Sequence, residues 1–159
     1  MNRGRRSKKI DGGKRLRFGI IVSRFNPSVT DRLLKGALSV FKKQGIPSDC
    51  LEIIEVPGAF EIPGVALLMG RSGRFHAMIC LGAVIQGETD HYRYICLEVS
   101  RGVGQVALQL GLPVIFGVLT TTSLQQAMGR SGSQCNKGAE AAEAAIEMAV
   151  LYQKLRSGL

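Results

Sequence analysis

Apolar residues in this chain follow two rhythms. Short unbroken runs alternate with longer segments in which apolar positions recur every three to four residues. The runs at 18–23, 51–56, 77–84 and 113–119 are rich in Ile, Val and Leu and predict buried strands. The periodic segments predict helices over 29–44, 62–69, 94–110 and 137–155, with a short one near 123–128. In the first helix Leu33, Leu34, Ala37, Leu38 and Phe41 share a face, and Gly45 ends it. Pro63 fits only a first helical turn. On the last helix Ala139, Ala142, Ile146, Ala149 and Val150 form a stripe broad enough to expect a partner surface.

Strands that alternate with helices, and are apolar along most of their length, imply a parallel sheet covered on both faces. The expected fold is a three-layer α/β/α sandwich, flavodoxin-like, with four strands and helices on both faces. Ligands in such sheets bind beyond the carboxyl ends of the strands. Here those ends are Ser23-Arg24-Phe25-Asn26, residues 56–61, residues 82–91 and Leu119-Thr120-Thr121-Thr122. All are rich in Gly, Thr, aromatic or charged residues. That coincidence points to one shared site rather than unrelated loops.

The chain has 159 residues and is 45% hydrophobic, which suits one domain with an ample core. No apolar run reaches membrane-span length, and the first residues lack the apolar centre of a signal peptide, so a cytoplasmic location is expected. Cys50, Cys80, Cys96 and Cys135 form no C-x-x-C pair, so reduced packing thiols are expected, with no metal site. The net charge of +9 is concentrated at one end. Residues 1–17 hold eight Lys or Arg against one acid, Asp11, while residues 18–159 carry 13 basic and 11 acidic side chains. The expectation is a disordered basic tail over 1–17, followed by a single domain over 18–159. Such a tail serves as a solubilising extension, or touches nucleic acid and other polyanions without specificity.

The densest chemistry lies in Gly82 to Tyr92. A strand, a glycine-bearing loop and a helix start aim backbone N–H groups at an anion. Thr89 or Asp90 suits the helix cap. His91 is one of only two histidines, a residue type able to move protons near neutral pH. A plain βα loop with a capping acid and a surface histidine accounts for this run equally well on its own. His76 precedes a strand and reads as an ordinary surface residue.

Taken together, the loops resemble the lumazine synthase family over residues 18 to about 155. The matching pieces are Arg24-Phe25-Asn26, the run Val56 to Pro63, and Gly82-Ala83-Val84-Ile85 with Gly87, Thr89 and His91. They continue with Phe116 to Thr121, Gln126-Ala127, Arg130 and Asn136-Lys137-Gly138. Each piece is weak alone; in this order and spacing they are specific. The resemblance implies condensation of 5-amino-6-(D-ribitylamino)uracil with 3,4-dihydroxy-2-butanone 4-phosphate. The amine attacks the ketone, phosphate leaves, and ring closure with loss of water gives 6,7-dimethyl-8-ribityllumazine. It implies no metal and no organic cofactor.

The resemblance also assigns roles. Phe25 stacks on the pyrimidine, and Ala59, Phe60 and Glu61 bind the ribityl chain. The backbone of Ala83, Val84 and Ile85 reads the polar edge of the ring. Glu88, through its N–H, and Thr89, through its hydroxyl, lie by the phosphate. His91 transfers protons. Phe116 and Arg130 come from the adjacent subunit, closing over the ring and gripping the phosphate, with Lys137 as a second cation. A homo-oligomer follows, a pentamer or a multiple of five with active sites between subunits, and riboflavin synthase as a partner protein.

Some positions depart from the family pattern. Gln86 stands where Arg or Lys is usual, Arg93 where an acid is common, and Gln125 where Glu is frequent. Residues 131–135 are one residue shorter than usual, a change that bears on assembly more than on catalysis. Competing readings are a shell-forming or polyanion-binding relative and an archaeal-type riboflavin synthase. A flavodoxin-like redox protein fits less well, because its phosphate loop should follow the first strand.

Overall fold

The computed structural model describes residues 15–158, so most of the basic tail lies outside the described residues. The elements run β1 (Phe18–Ser23), α1 (Pro27–Lys43), β2 (Leu51–Val56), α2 (Ile62–Arg71), β3 (Ala77–Ile85), α3 (His91–Leu110), β4 (Val114–Thr121), α4 (Leu124–Gly129) and α5 (Lys137–Gly158). Single 3-10 turns precede β2 and α2, at Ser48–Cys50 and Ala59–Glu61. The strands form one parallel sheet in the order β2-β1-β3-β4. This is the expected flavodoxin-like sandwich.

Alternation along the strands divides the core in two. Phe18, Ile20, Val22, Ile79 and Leu81 pack with Leu33, Phe41, Ala142 and Ala145 of α1 and α5. Ile21, Met78, Cys80 and Val118 pack with Ile62, Ala66, Val99 and Val103 of α2 and α3. The central strands are apolar on both sides because helices cover both faces. Burial in the second layer pushes the Cys80 thiol up to about 12, so it is an inert packing group.

Differences from the expected bounds have local causes. Helix α1 starts at Pro27, whose locked φ suits the first turn. Helix α3 starts at His91, earlier than its apolar rhythm, because its first turn is polar. Strands β3 and β4 pair to their ends, through Ile85↔Thr121, and so outrun their apolar cores. The packed region also begins before Phe18. Leu16 lies in the core, and Arg15 pairs with Asp49 at 2.9 Å. Arg17 donates its N–H to Nδ1 of His76 at 3.0 Å, and the His76 N–H returns to the Arg17 carbonyl at 2.8 Å. His76 is therefore a half-buried strut rather than an ordinary surface residue.

The apolar stripe on α5 is used within the subunit. Ala142 and Ala149 are buried, and Ala139, Ile146 and Val150 pack against the same core. The uncovered apolar side chains lie elsewhere, at Phe25, Phe60, Leu68, Tyr94, Leu97, Leu108 and Phe116 among others. Close approach of α1 and α5 makes this possible. A Cβ on Gly138 would collide with the Leu33 carbonyl, and one on Gly36 would collide with the Asn136 side chain.

Gly138→Ala should therefore lower stability by about 2–3 kcal/mol through overpacking. Gly64, on α2, has open space around it. Gly64→Ala should raise stability by about 0.5–1 kcal/mol. Urea midpoints of the two variants check the sign of each effect; an unchanged midpoint for Gly138→Ala would refute the tight contact.

Candidate active site

A cleft of 610 Å³ opens at the carboxyl ends of β2, β1 and β3. It sits where the chain, having gone from β1 to β2 on one side, crosses to β3 on the other. That is the switch point at which open parallel sheets bind ligands. Its lining includes Phe25, Ala59, Phe60, Glu61, Ala83, Val84, Ile85, Thr89 and His91. Nine residues singled out in the sequence thus meet in one place. Glu88 does not line it; its side chain is exposed to solvent.

Local backbone chemistry shapes this cleft. Arg24 donates its N–H to the Val56 carbonyl at 2.8 Å, which ties the β1 loop to β2. Asn26 then takes the left-handed conformation, φ 60 and ψ 57, the one non-glycine residue with positive φ among those described. Asn tolerates this region better than most residues. Its Nδ2 donates to the Ala83 carbonyl at 2.9 Å, across the switch point. Its own carbonyl accepts from the N–H groups of Val29 and Thr30, starting α1. The reversal leaves Phe25 outside the core, 68% exposed.

On the β2 side, the Glu61 carboxylate accepts from the Gly58 N–H at 2.9 Å, closing the 3-10 turn. This is the capping reach of an acid at the third position of a helical start. It fixes Glu61 and leaves Phe60 facing solvent at 57% exposure. Two uncovered aromatic faces flank an apolar floor, an arrangement suited to a flat heterocycle. Across the cleft, Asp90 stands at the N-cap of α3 but makes no side-chain cap. The Thr89 hydroxyl takes that place weakly, 3.5 Å from the His91 amide.

Phe116, Arg130 and Lys137 are not in this cleft. They line a second hollow of 320 Å³ along β4, one of the two edge strands, together with the start of α5. Ser123 caps α4 by accepting from the Gln126 N–H at 3.2 Å. Arg130, at the far end of α4, donates to the Gln126 carbonyl at 3.1 Å. The Lys137 N–H donates to the Arg130 carbonyl at 2.8 Å, so the two cations sit on adjoining backbone. Asn136 closes the short 131–135 loop, donating to the carbonyls of Ser131 and Arg32 at 3.1 and 3.0 Å. Lys137 pairs with Glu140 at 2.7 Å, and this hydrogen bond and charge hold its ammonium pKa above the ordinary value. Arg130 has only a carbonyl partner in these bonds.

Asn26, Gly58, Gly87, Tyr92 and Ile95 also line the first cleft and were not among the residues expected there. Asn26 carried a signal, an asparagine before proline at a strand end. Gly58 and Gly87 matter through their backbones. Tyr92 and Ile95 depend on where α3 begins, which periodicity placed late. Among the described residues, no group of three or more His, Cys, Asp or Glu is disposed to hold a metal ion.

The fold and this cleft define a small α/β protein with a hollow at the switch point of a parallel sheet, where such sheets bind ligands. A family model described as 6,7-dimethyl-8-ribityllumazine synthase matches residues 15–153. A protein of that name from Desulfatibacillum aliphaticivorans is 49% identical over 141 residues, covering 88% of this chain and 91% of the relative. The chain belongs to the 6,7-dimethyl-8-ribityllumazine synthase family, and it is a transferase of riboflavin biosynthesis.

The Asn26 tie has a measurable value. Asn26→Gly keeps the positive φ and loses only the bond to Ala83, which should lower stability by about 0.5–1.5 kcal/mol. Asn26→Ala adds left-handed strain and should cost about 1–2 kcal/mol more. Denaturant titration separates the two steps; equal midpoints for the Gly and Ala variants would show that the conformation carries no strain.

Proposed function

We propose that the two hollows are complementary halves of one lumazine synthase active site, brought together between neighbouring subunits. The supporting observation is one of charge. The first cleft offers Phe25, Phe60, Glu61 and His91 but has no Lys or Arg in its lining. A phosphorylated substrate needs a cation, and Arg130 and Lys137 lie in the second hollow. That hollow lies on an open sheet edge beside Phe116, which is 42% exposed. Exposed edges with apolar side chains are covered in stable proteins.

In this reading the ribitylaminouracil ring stacks between Phe25 and the neighbour's copy of Phe116. Backbone groups of Ala83, Val84 and Ile85 read its polar edge, and Ala59, Phe60 and Glu61 hold the ribityl hydroxyls. The butanone phosphate lies by Thr89 and the Glu88 N–H, gripped by the neighbour's copy of Arg130, with Lys137 nearby. Bringing amine and ketone into register supplies much of the rate. The amine attacks the ketone carbon, and loss of water gives the imine. His91 then shuttles the protons that accompany phosphate loss and ring closure, in which the second amine attacks and a second water leaves. Neither step calls for a metal or organic cofactor. The enzyme forms a pentamer or a multiple of five. It works in the cytoplasm and passes its product to riboflavin synthase.

His91→Ala should slow turnover by about ten- to a thousandfold, at or below the usual reach of general acid–base help. A free amine and a reactive ketone condense unaided, which limits the loss. An unchanged kcat would remove His91 from the mechanism. Arg130→Ala should mainly raise KM for the phosphorylated substrate, and Arg130→Lys should recover only part of it.

The shared site has its own test. Subunits carrying His91→Ala and subunits carrying Arg130→Ala are unfolded together, refolded as mixtures and assayed. Mixed rings should regain activity, because some boundaries then join an intact cleft to an intact Arg130. Mixtures no more active than the separate variants, or an active wild-type monomer by light scattering, would refute the divided site.

A further inference from the structure

Both cations of the second hollow hang from a segment with little regular structure. Helix α4 has only six residues, Leu124–Gly129, and residues 131–135 belong to no helix or strand. Arg130 stands at the start of this connection and Lys137 at its end, and both line the hollow. A phosphate grip needs its cations at fixed positions, because charge-assisted bonds are short and directional. Something has to fasten this corner to the body of the subunit.

Asn136 meets the need. Its half-buried side chain sits against α1 in the room that Gly36 leaves, where a Cβ would collide with the amide. Its Nδ2 donates to the Ser131 carbonyl at 3.1 Å and to the Arg32 carbonyl, in the second turn of α1, at 3.0 Å. Its Oδ1 accepts from the Ala139 N–H at 3.0 Å and so caps α5. Both amide donors and the acceptor are thus in use. Capping alone needs only the oxygen, which Ser, Thr or Asp also supplies; the donors serve the corner. Ser131 and Asn136 also form an antiparallel bridge, and the bond from the Lys137 N–H to the Arg130 carbonyl lies beside it. The base of the loop is closed, and the bond to Arg32 ties that base to α1. The Arg32 guanidinium adds a contact to the Met128 sulfur at 3.5 Å, a weak acceptor.

We propose that Asn136 is a positioning residue for the phosphate grip, its side-chain amide fastening the Arg130–Lys137 corner to α1 so that both cations are presented together beside the sheet edge. The helix it ties to begins at Asn26, which lines the first cleft. One helix of each subunit therefore braces both hollows. The inference rests on the reading of Arg130 as the phosphate-binding group, and the experiment separates the two.

The test is Asn136→Ser, which keeps an oxygen to cap α5 and removes both donors. Amide hydrogen exchange at Lys137, whose N–H is bonded to the Arg130 carbonyl, should quicken by about two- to tenfold. KM for the butanone phosphate and the inhibition constant of inorganic phosphate should both rise by about three- to tenfold, as when a charged hydrogen bond is weakened but not removed. KM for the ribitylaminouracil and kcat should stay within about twofold of wild type. Added to Arg130→Ala, the same substitution should change KM for the butanone phosphate by less than about twofold, because the group it chiefly positions is gone. The full rise persisting without Arg130 would show that Asn136 acts by another route. An equal rise in both KM values, or a changed mass by light scattering, would make it a folding or assembly residue and overturn the proposal. Wild-type exchange at Lys137 would overturn the tie itself. Asn136→Asp, which also keeps the cap, repeats that measurement if the Ser variant does not fold. An unchanged KM for the butanone phosphate in Arg130→Ala alone would overturn the phosphate reading and the proposal with it, while exchange at Lys137 still decides the tie.

Discussion

The site depends on a constraint of parallel pairing. Strand β1 is hydrogen-bonded to β2 on one side and β3 on the other, all running the same way. Three carboxyl ends must then lie side by side, and the loops that leave them share one space. The loop from β1 leads to α1 on one face, while those from β2 and β3 lead to α2 and α3 on the other, so a cleft opens between them. The Asn26–Ala83 and Arg24–Val56 bonds hold its mouth across both strand pairs. Phe25 is exposed as a consequence, since the chain reverses at Asn26 before the ring can turn inward.

Charge placement shapes what the cleft can do. Its lining is apolar apart from a carboxylate, an imidazole, a phenol and a few hydroxyl and amide groups. Arg130 and Lys137 lie instead in the second hollow, at the α4–α5 corner beside an open strand edge. Hydrogen bonds hold that corner: the Lys137 N–H to the Arg130 carbonyl, and the Asn136 side-chain amide to the carbonyls of Ser131 and Arg32. The 131–135 loop is thus closed at its base, which keeps the two cations on adjoining backbone. Glu140 pairs with Lys137, while Arg130 donates to the Gln126 carbonyl.

Element types were legible because each strand is buried on both faces and each long helix on one, and those burial patterns are written directly in residue order. Ends were less legible. The first turn of α3 is polar and exposed, so no apolar period announces it, although it carries His91. The α5 stripe misled for a related reason. Periodicity shows that a face is apolar but not what covers it, and here α1 and the sheet cover it through the glycine contacts at Gly36 and Gly138.

The sequence by itself determined the layered α/β architecture, the strand ends at which ligands bind, and the residues that resemble those of lumazine synthases. These depend on side-chain type and spacing along the chain. Only the tertiary structure decided that nine of those residues share one cleft while Phe116, Arg130 and Lys137 lie in another. It alone showed that His76 braces Arg17, that Asn26 spans the switch point, and that Asn136 ties the start of α5 to Arg32. Each of these joins positions far apart in the chain through a directional bond. No local pattern carries that information, because the geometry exists only once strands and helices have packed.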